Sequence, residues 1–163
     1  ARFAGEGVVY ALEPVEENYE LLLRNIELNK LTNVIPTKMA VSKETGKREM
    51  FVQEDATSGH SFLYRTNRNP VTVDTASLED FVDRMNIKKI DFLKMDCEGA
   101  EYEILMNCPE RVFSMIQRIG MEYHYGEDKK DQQILVDVLE DNGFKVTMSS
   151  PKDWGGMIFA TKR

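Results

Sequence analysis

The apolar residues of this chain change period repeatedly along its length, and that alternation restricts the fold more than any other property of the sequence. Val8-Val9-Tyr10-Ala11-Leu12 is a short apolar run closed by Glu13-Pro14, which predicts a buried strand. From Val15 the spacing turns helical: Val15, Tyr19, Leu22, Leu23 and Ile26 share one side, with Glu16, Glu17, Arg24 and Glu27 among the polar positions. Asn29 to Asn33 makes a turn, and Val34 to Val41 reads as a second strand, interrupted by Pro36. The chain thus enters a helix directly from a strand.

The pattern returns further on. A strand is predicted near Met50 to Gln53, an irregular loop over Asp55 to Asn69, and a strand at Val71 to Asp74. Ser77 has the character of a helix N-cap, with Asp80 in the place of a capping-box acid and Leu78, Phe81, Val82 and Met85 on the apolar side. Ile90 to Met95 reads as a strand, closed by Asp96-Cys97-Glu98-Gly99 before a short helix from Ala100 to about Asn107, which Cys108-Pro109 ends. Arg118 to Tyr123 is the next strand. A helix from about Lys129 to Asn142 follows, with Ile134, Leu135, Val138 and Leu139 on one face and Gly143 as its stop. Phe144 to Met148 and Met157 to Thr161 are strands with no helix between them, which favours a terminal hairpin.

Strands alternating with helices predict an α/β domain with a mostly parallel sheet covered on both faces, because each crossover helix must bury its apolar stripe. The 163 residues suit a single domain, over 1–163, with one core. With 42% hydrophobic and 30% charged residues, the composition is that of a globular chain. A net charge of -7 works against general nucleic-acid binding, which needs clustered Lys and Arg. No apolar run reaches the ~20 residues of a membrane span, and residues 1–7 lack the regions of a secretion signal. Cys97 and Cys108 are too few for a disulfide framework, so a cytoplasmic location is expected.

In such sheets ligands gather at the carboxyl ends of the strands. Glu13 ends one strand and could accept hydrogen bonds from both hydroxyls of an adenosine ribose, or cap the following helix. Asp96, Glu98 and Glu101 crowd the end of another strand, where a site competes with simple stabilisation by a helix N-terminus; Gly99 allows a close backbone approach. Cys97, between two acids, reads as a small buried side chain. Glu122 and His124 end the next strand. His124 could be a general base toward a hydroxyl or a structural residue, and Glu98, Glu122 and His124 could bind a metal, although their spacing carries no metal signature and no metal site is assigned. His60 lies in a loop long enough to contact a substrate, and Trp154 closes the terminal hairpin or packs on the sheet.

VVYALEP, NYELLLRNIELN, SLEDFVD, IDFLKMDCEGAEYEIL and GMEYH, in this order, resemble the successive landmarks of FkbM-type methyltransferases. The resemblance implies a Rossmann-like class I methyltransferase sheet with an antiparallel last strand, S-adenosylmethionine as cofactor, and methylation of a hydroxyl on a small molecule, sugar or lipid. It implies cofactor-binding roles for Glu13, Met39, Ala40, Val41 and Asp96 and a place beside the methyl-transfer centre for Asp96; Asp96, Glu98 and His124 are the catalytic candidates, with His124 or Asp96 as the base. It also implies that the first strand and its glycine-rich turn are missing, Ala1 to Gly7 matching only the tail of the helix after that turn. The chain is then expected to be a fragment or a degenerate protein, with an open sheet edge that weakens cofactor binding and favours self-association. The rival readings are an NAD-dependent oxidoreductase using Glu13 on the ribose, and a noncatalytic binding or assembly module of the same fold.

Overall fold

The structure is a computed structural model that describes residues 1–52, 61, 69–125 and 131–163. After a short 3-10 turn at Arg2–Ala4, strand β1 (Val9–Leu12) leads into helix α1 (Glu16–Leu28), whose first turn carries Glu16 and Glu17 at the positive end of the helix dipole. Helix α1 packs on β2 (Val34–Thr37) with Tyr19, Leu22 and Ile26 half-buried, whereas Leu23 faces outward. The strand expected over 34–41 is two strands: β2, and β3 (Ala40–Val41), which belongs to a different sheet. Pro36 is accommodated because β2 is an edge strand, with only β1 beside it among the described residues.

Strands β4 (Gly46–Val52) and β5 (Asn69–Ala76) form an antiparallel pair longer than expected, and β3 joins β5 in parallel. The loop between them, with His60, lies outside the described residues apart from Ser61. Helix α2 (Leu78–Arg84) begins at Ser77, whose Oγ accepts the Asp80 amide at 3.0 Å. The capping box is completed through a third residue: the Ser77 amide donates to Thr45 Oγ1, and the Thr45 hydroxyl donates to the Asp80 carboxylate.

Strand β6 (Leu93–Met95) is shorter than expected, since Ile90 makes only an isolated bridge to Ile116. It is followed by α3 (Glu101–Met106), then α4 (Glu110–Met115), β7 (Arg118–His124), α5 (Gln133–Asp141), β8 (Phe144–Met148) and β9 (Gly155–Lys162). Helix α4, which the sequence reading lacks, starts at Pro109 and buries Val112 and Phe113; the latter meets Phe144 edge-on at 6.3 Å. Helix α5 buries Leu135 and Leu139 but leaves Ile134 exposed, and ends at Gly143, whose φ of 80° favours glycine.

The largest sheet runs β6-β7-β9-β8, parallel between β6 and β7 and antiparallel across β9. The final strands are therefore an antiparallel hairpin whose second member inserts beside β7. Among the described residues, β1 pairs only with β2 and β6 only with β7. Both β1 and β6 line one cavity of about 1180 Å³.

The hairpin is pinned at Gly155, which pairs with His124. A Cβ there would lie 1.8 Å from the Tyr123 carbonyl oxygen, a contact only backbone movement could relieve. Gly155→Ala should therefore destabilise the chain by on the order of 3 kcal/mol and loosen residues 152–157. Urea unfolding with hydrogen exchange reads both, and a wild-type denaturation midpoint would contradict this packing.

Candidate functional site

Three strand ends build the site. β1 delivers Glu13, β6 delivers Asp96, and β7 ends on His124. The wall of the cavity between β1 and β6 includes Glu13, Asn18, Met39, Ala40, Val41, Asp96, Cys97 and Glu98, beside apolar residues of both strands such as Tyr10, Leu12 and Leu93. The sequence-derived cofactor residues thus surround one hollow. His124 and Glu122 are not on its wall, but they approach it through Glu98: His124 Nε2 is 3.6 Å from Glu98 Oε2 and 3.9 Å from Glu122 Oε1.

Glu13 is half-buried, and its Oε1 accepts the Val15 amide at 2.8 Å. The residue holds the amide of Val15, the N-cap of the following helix, without capping the helix by its side chain, and it lines the cavity. Burial raises its carboxyl above the usual carboxylate value, against the pull of the Val15 amide and the Asn18 side chain.

Between β6 and α3 the chain turns through Glu98 and Gly99, both with positive φ, at 50° and 98°. Gly99 takes that conformation without cost; Glu98 takes it at on the order of 1 kcal/mol or more, and the turn sets its carboxylate toward His124. The turn is tied together by Glu101, which is fully buried. Its Oε1 accepts the Cys97 amide at 2.7 Å, and its Oε2 accepts the Gly99 amide at 2.9 Å. The same Oε1 lies 3.3 Å from His124 Nδ1. With both oxygens already acting as acceptors, the shared proton belongs on Nδ1, leaving Nε2 as the imidazole's accepting atom.

Sequence reasoning named Glu101 without a role. Its signal was an acid in the first turn of a helix just after a glycine, but its partner is 23 residues away and only the pairing of β6 with β7 brings them together.

His124 is itself buried. Desolvation pulls its pKa down, but the Glu101 hydrogen bond and the charges of Glu101, Glu98 and Asp96 outweigh it, so the imidazole titrates above its ordinary value. Cys97 is no nucleophile: burial first, and the Glu101 charge second, push its thiol up to about 12. Asp96 is half-exposed, with Lys94 at 3.8 Å as its counter-ion. Asp96, Glu98 and His124 each offer a donor atom within 4.8 Å of the others, a spacing that could admit a cation as well as a proton.

The indole of Trp154 tilts over the His124 ring, with centroids 5.6 Å apart, a contact the sequence gave no means of finding.

Parallel strand pairs alternating with helices, acids at the ends of β1 and β6 around a common hollow, and an antiparallel final strand define a Rossmann-like methyltransferase domain. The chain belongs to the methyltransferase FkbM domain family, whose sequence pattern matches residues 1–146. It is 25% identical to "Methyltransferase 1" of Beauveria bassiana over 91% of this chain and 67% of that protein. It is 27% identical to "Hexuronic acid methyltransferase AglP" of Haloferax volcanii over 76% of this chain and 50% of that protein. The crystal structure of an FkbM methyltransferase from Methylobacillus flagellatus superposes with a TM-score of 0.62 at 16% identity, covering 94% of this chain and 36% of that one, which establishes a common fold. The chain thus spans about two thirds of one curated relative and half of the other. Among the described residues, no helix is long and apolar enough to cross a membrane.

Trp154 is the single tryptophan of the chain, so its emission reports on His124. A protonated imidazole quenches indole more strongly than a neutral one. Fluorescence should rise with pH through a midpoint above about 6.5, and Glu101→Gln should move that midpoint down by removing the nearest negative charge. A midpoint unchanged in Glu101→Gln would contradict the pairing.

Proposed function

We propose that this chain carries the S-adenosylmethionine site of an O-methyltransferase and that its acceptor is a hydroxyl compound activated by His124. The observation that carries the reading is the shared cavity of Glu13 and Asp96. Its residues suit the cofactor chemically. Glu13 offers an acceptor for ribose hydroxyls, Met39, Ala40 and Val41 offer apolar surface for an adenine, and Asp96 and Glu98 are acids suited to a cationic sulfonium. When bound, S-adenosylmethionine supplies an electrophilic methyl group on a good leaving group.

The chain's own residues contribute orientation and proton transfer. His124 Nε2 accepts the proton of the acceptor hydroxyl, while Glu101 fixes the tautomer and stabilises the imidazolium that results. Glu98 and Glu122, near Nε2, hold the acceptor in register through its other hydroxyls. Asp96 joins the two halves, since it ends β6 on the cavity wall and adds its charge to the field at His124. Sugar acceptors fit this carboxylate-rich environment, and the name of one relative points to sugar chemistry.

The sign of the pH dependence follows from the raised imidazole pKa. Below it Nε2 holds a proton and cannot accept another, so the rate should climb as pH rises through a midpoint above about 6.5. His124→Gln should lower kcat by about a hundredfold or more, and Asp96→Ala should remove most turnover. Full activity in either variant, measured as methyl transfer from labelled donor, would refute the assigned roles.

S-adenosylhomocysteine should bind the chain in preference to NAD, and Glu13→Ala should weaken it about tenfold in isothermal titration. Preference for NAD would favour the oxidoreductase reading.

A further inference from the structure

We propose that Asn18 is a positioning residue of the methyl-donor site, its side-chain amide holding the Glu13 carboxylate in the orientation that receives the adjacent hydroxyls of a ribose; the inference rests on the methyl-transfer reading above. Of the three polar residues that open α1, Glu16 and Glu17 are exposed, whereas Asn18 is half-buried and on the cavity wall with Glu13 and Pro14. The first turn of the helix thus directs one neutral amide toward the hollow and two charges toward water.

The chain fixes Glu13 in stages. Its backbone amide donates to the Thr37 carbonyl at 3.1 Å, which carries the pairing of β1 with β2 one residue further. Pro14 restricts the Glu13 backbone to extended conformations. Two amides then act on the side chain: Oε1 accepts the Val15 amide at 2.8 Å, and the Asn18 side chain donates a second hydrogen bond. A bond to one oxygen alone would leave the carboxylate free to swing, and a second donor from the helix removes that freedom. An ionised carboxylate presents about four lone-pair sites, of which these amides take about half. The capacity that is left suits two neighbouring hydroxyls arriving from the cavity.

The chemical type of residue 18 also matters. A lysine or arginine there would draw Glu13 into an ion pair that competes with the ribose, and an acid would repel it. An uncharged donor does neither. Burial pushes the Glu13 carboxyl up, and the Asn18 hydrogen bond works against that push, which helps to keep the acceptor ionised.

The test compares S-adenosylhomocysteine with its 2′-deoxy analogue by calorimetry in wild type, Asn18→Leu and Asn18→Asp. Wild type should prefer the intact diol about tenfold, the size of a lost hydrogen bond to a charged acceptor. Both variants should reduce that preference to about threefold or less while binding the deoxy analogue as wild type does. Asn18→Asp discriminates most sharply, because an acid in the first turn favours the helix dipole and a merely structural role would leave its binding intact. Circular dichroism and urea midpoints check that both variants stay folded. In ligand-free protein with isotope-labelled glutamate carboxyls, the Glu13 titration midpoint should move up in Asn18→Leu, since the bond that favours the charged form is gone. A diol preference retained in both variants, or an equal loss of affinity for both ligands, would overturn the positioning role and leave the donor reading standing. An unmoved Glu13 midpoint in Asn18→Leu would overturn the contact itself. Failure of wild type to bind either ligand would sink the donor reading together with the ribose role of Asn18.

Discussion

One buried carboxylate holds the centre of this molecule together. Glu101 has no exposure to water, and a carboxylate so placed is tolerated only where hydrogen bonds replace its hydration. The amides of Cys97 and Gly99 and the imidazole of His124 supply them. Because these groups come from the turn after β6 and the end of β7, the bonds that satisfy Glu101 also fix the two strand ends relative to one another. Without the carboxylate, the left-handed turn at Glu98 and Gly99 would lose its anchor and His124 would lose its orientation.

The same arrangement separates enclosed from accessible carboxylates along a short stretch of chain. Glu101 is enclosed and spends both oxygens on the fold, whereas Glu98 and Asp96 keep contact with the cavity and Glu98 also reaches His124. On the far side of the hollow, Glu13 accepts the Val15 amide just ahead of α1 while half-buried against the cavity. The family membership gives the reaction class, methyl transfer; around His124 the chain places an indole and carboxylates.

Much of the architecture was legible in the amino-acid order, for identifiable reasons. β1, α1, β8 and the Ser77 cap follow from local period and capping chemistry, which involve residues a few positions apart. The antiparallel ending followed from the lack of a crossover helix before β9. Other features were hidden because no local pattern encodes them. Helix α4 has six residues, too few to display a period, and the break between β2 and β3 reflects two sheets competing for one extended segment. Leu23 and Ile134 sit at helical spacing yet face outward, because spacing defines a stripe but not its width. The strand-end acids could be named as candidates, but the ties of Glu101 and Trp154 to His124 depend on which strands become neighbours, and that is settled only by tertiary packing.

The central claim is that the ends of β1 and β6 face one hollow that receives an adenosine-bearing methyl donor. Mapping amide chemical shifts in a labelled sample as S-adenosylhomocysteine is added tests it most directly. The account predicts that the perturbed amides cluster at Glu13, at Met39, Ala40 and Val41, and from Asp96 to Gly99, with β8 left unchanged. Saturable perturbations confined to β8 and α5, or spread over the surface without these residues, would contradict it.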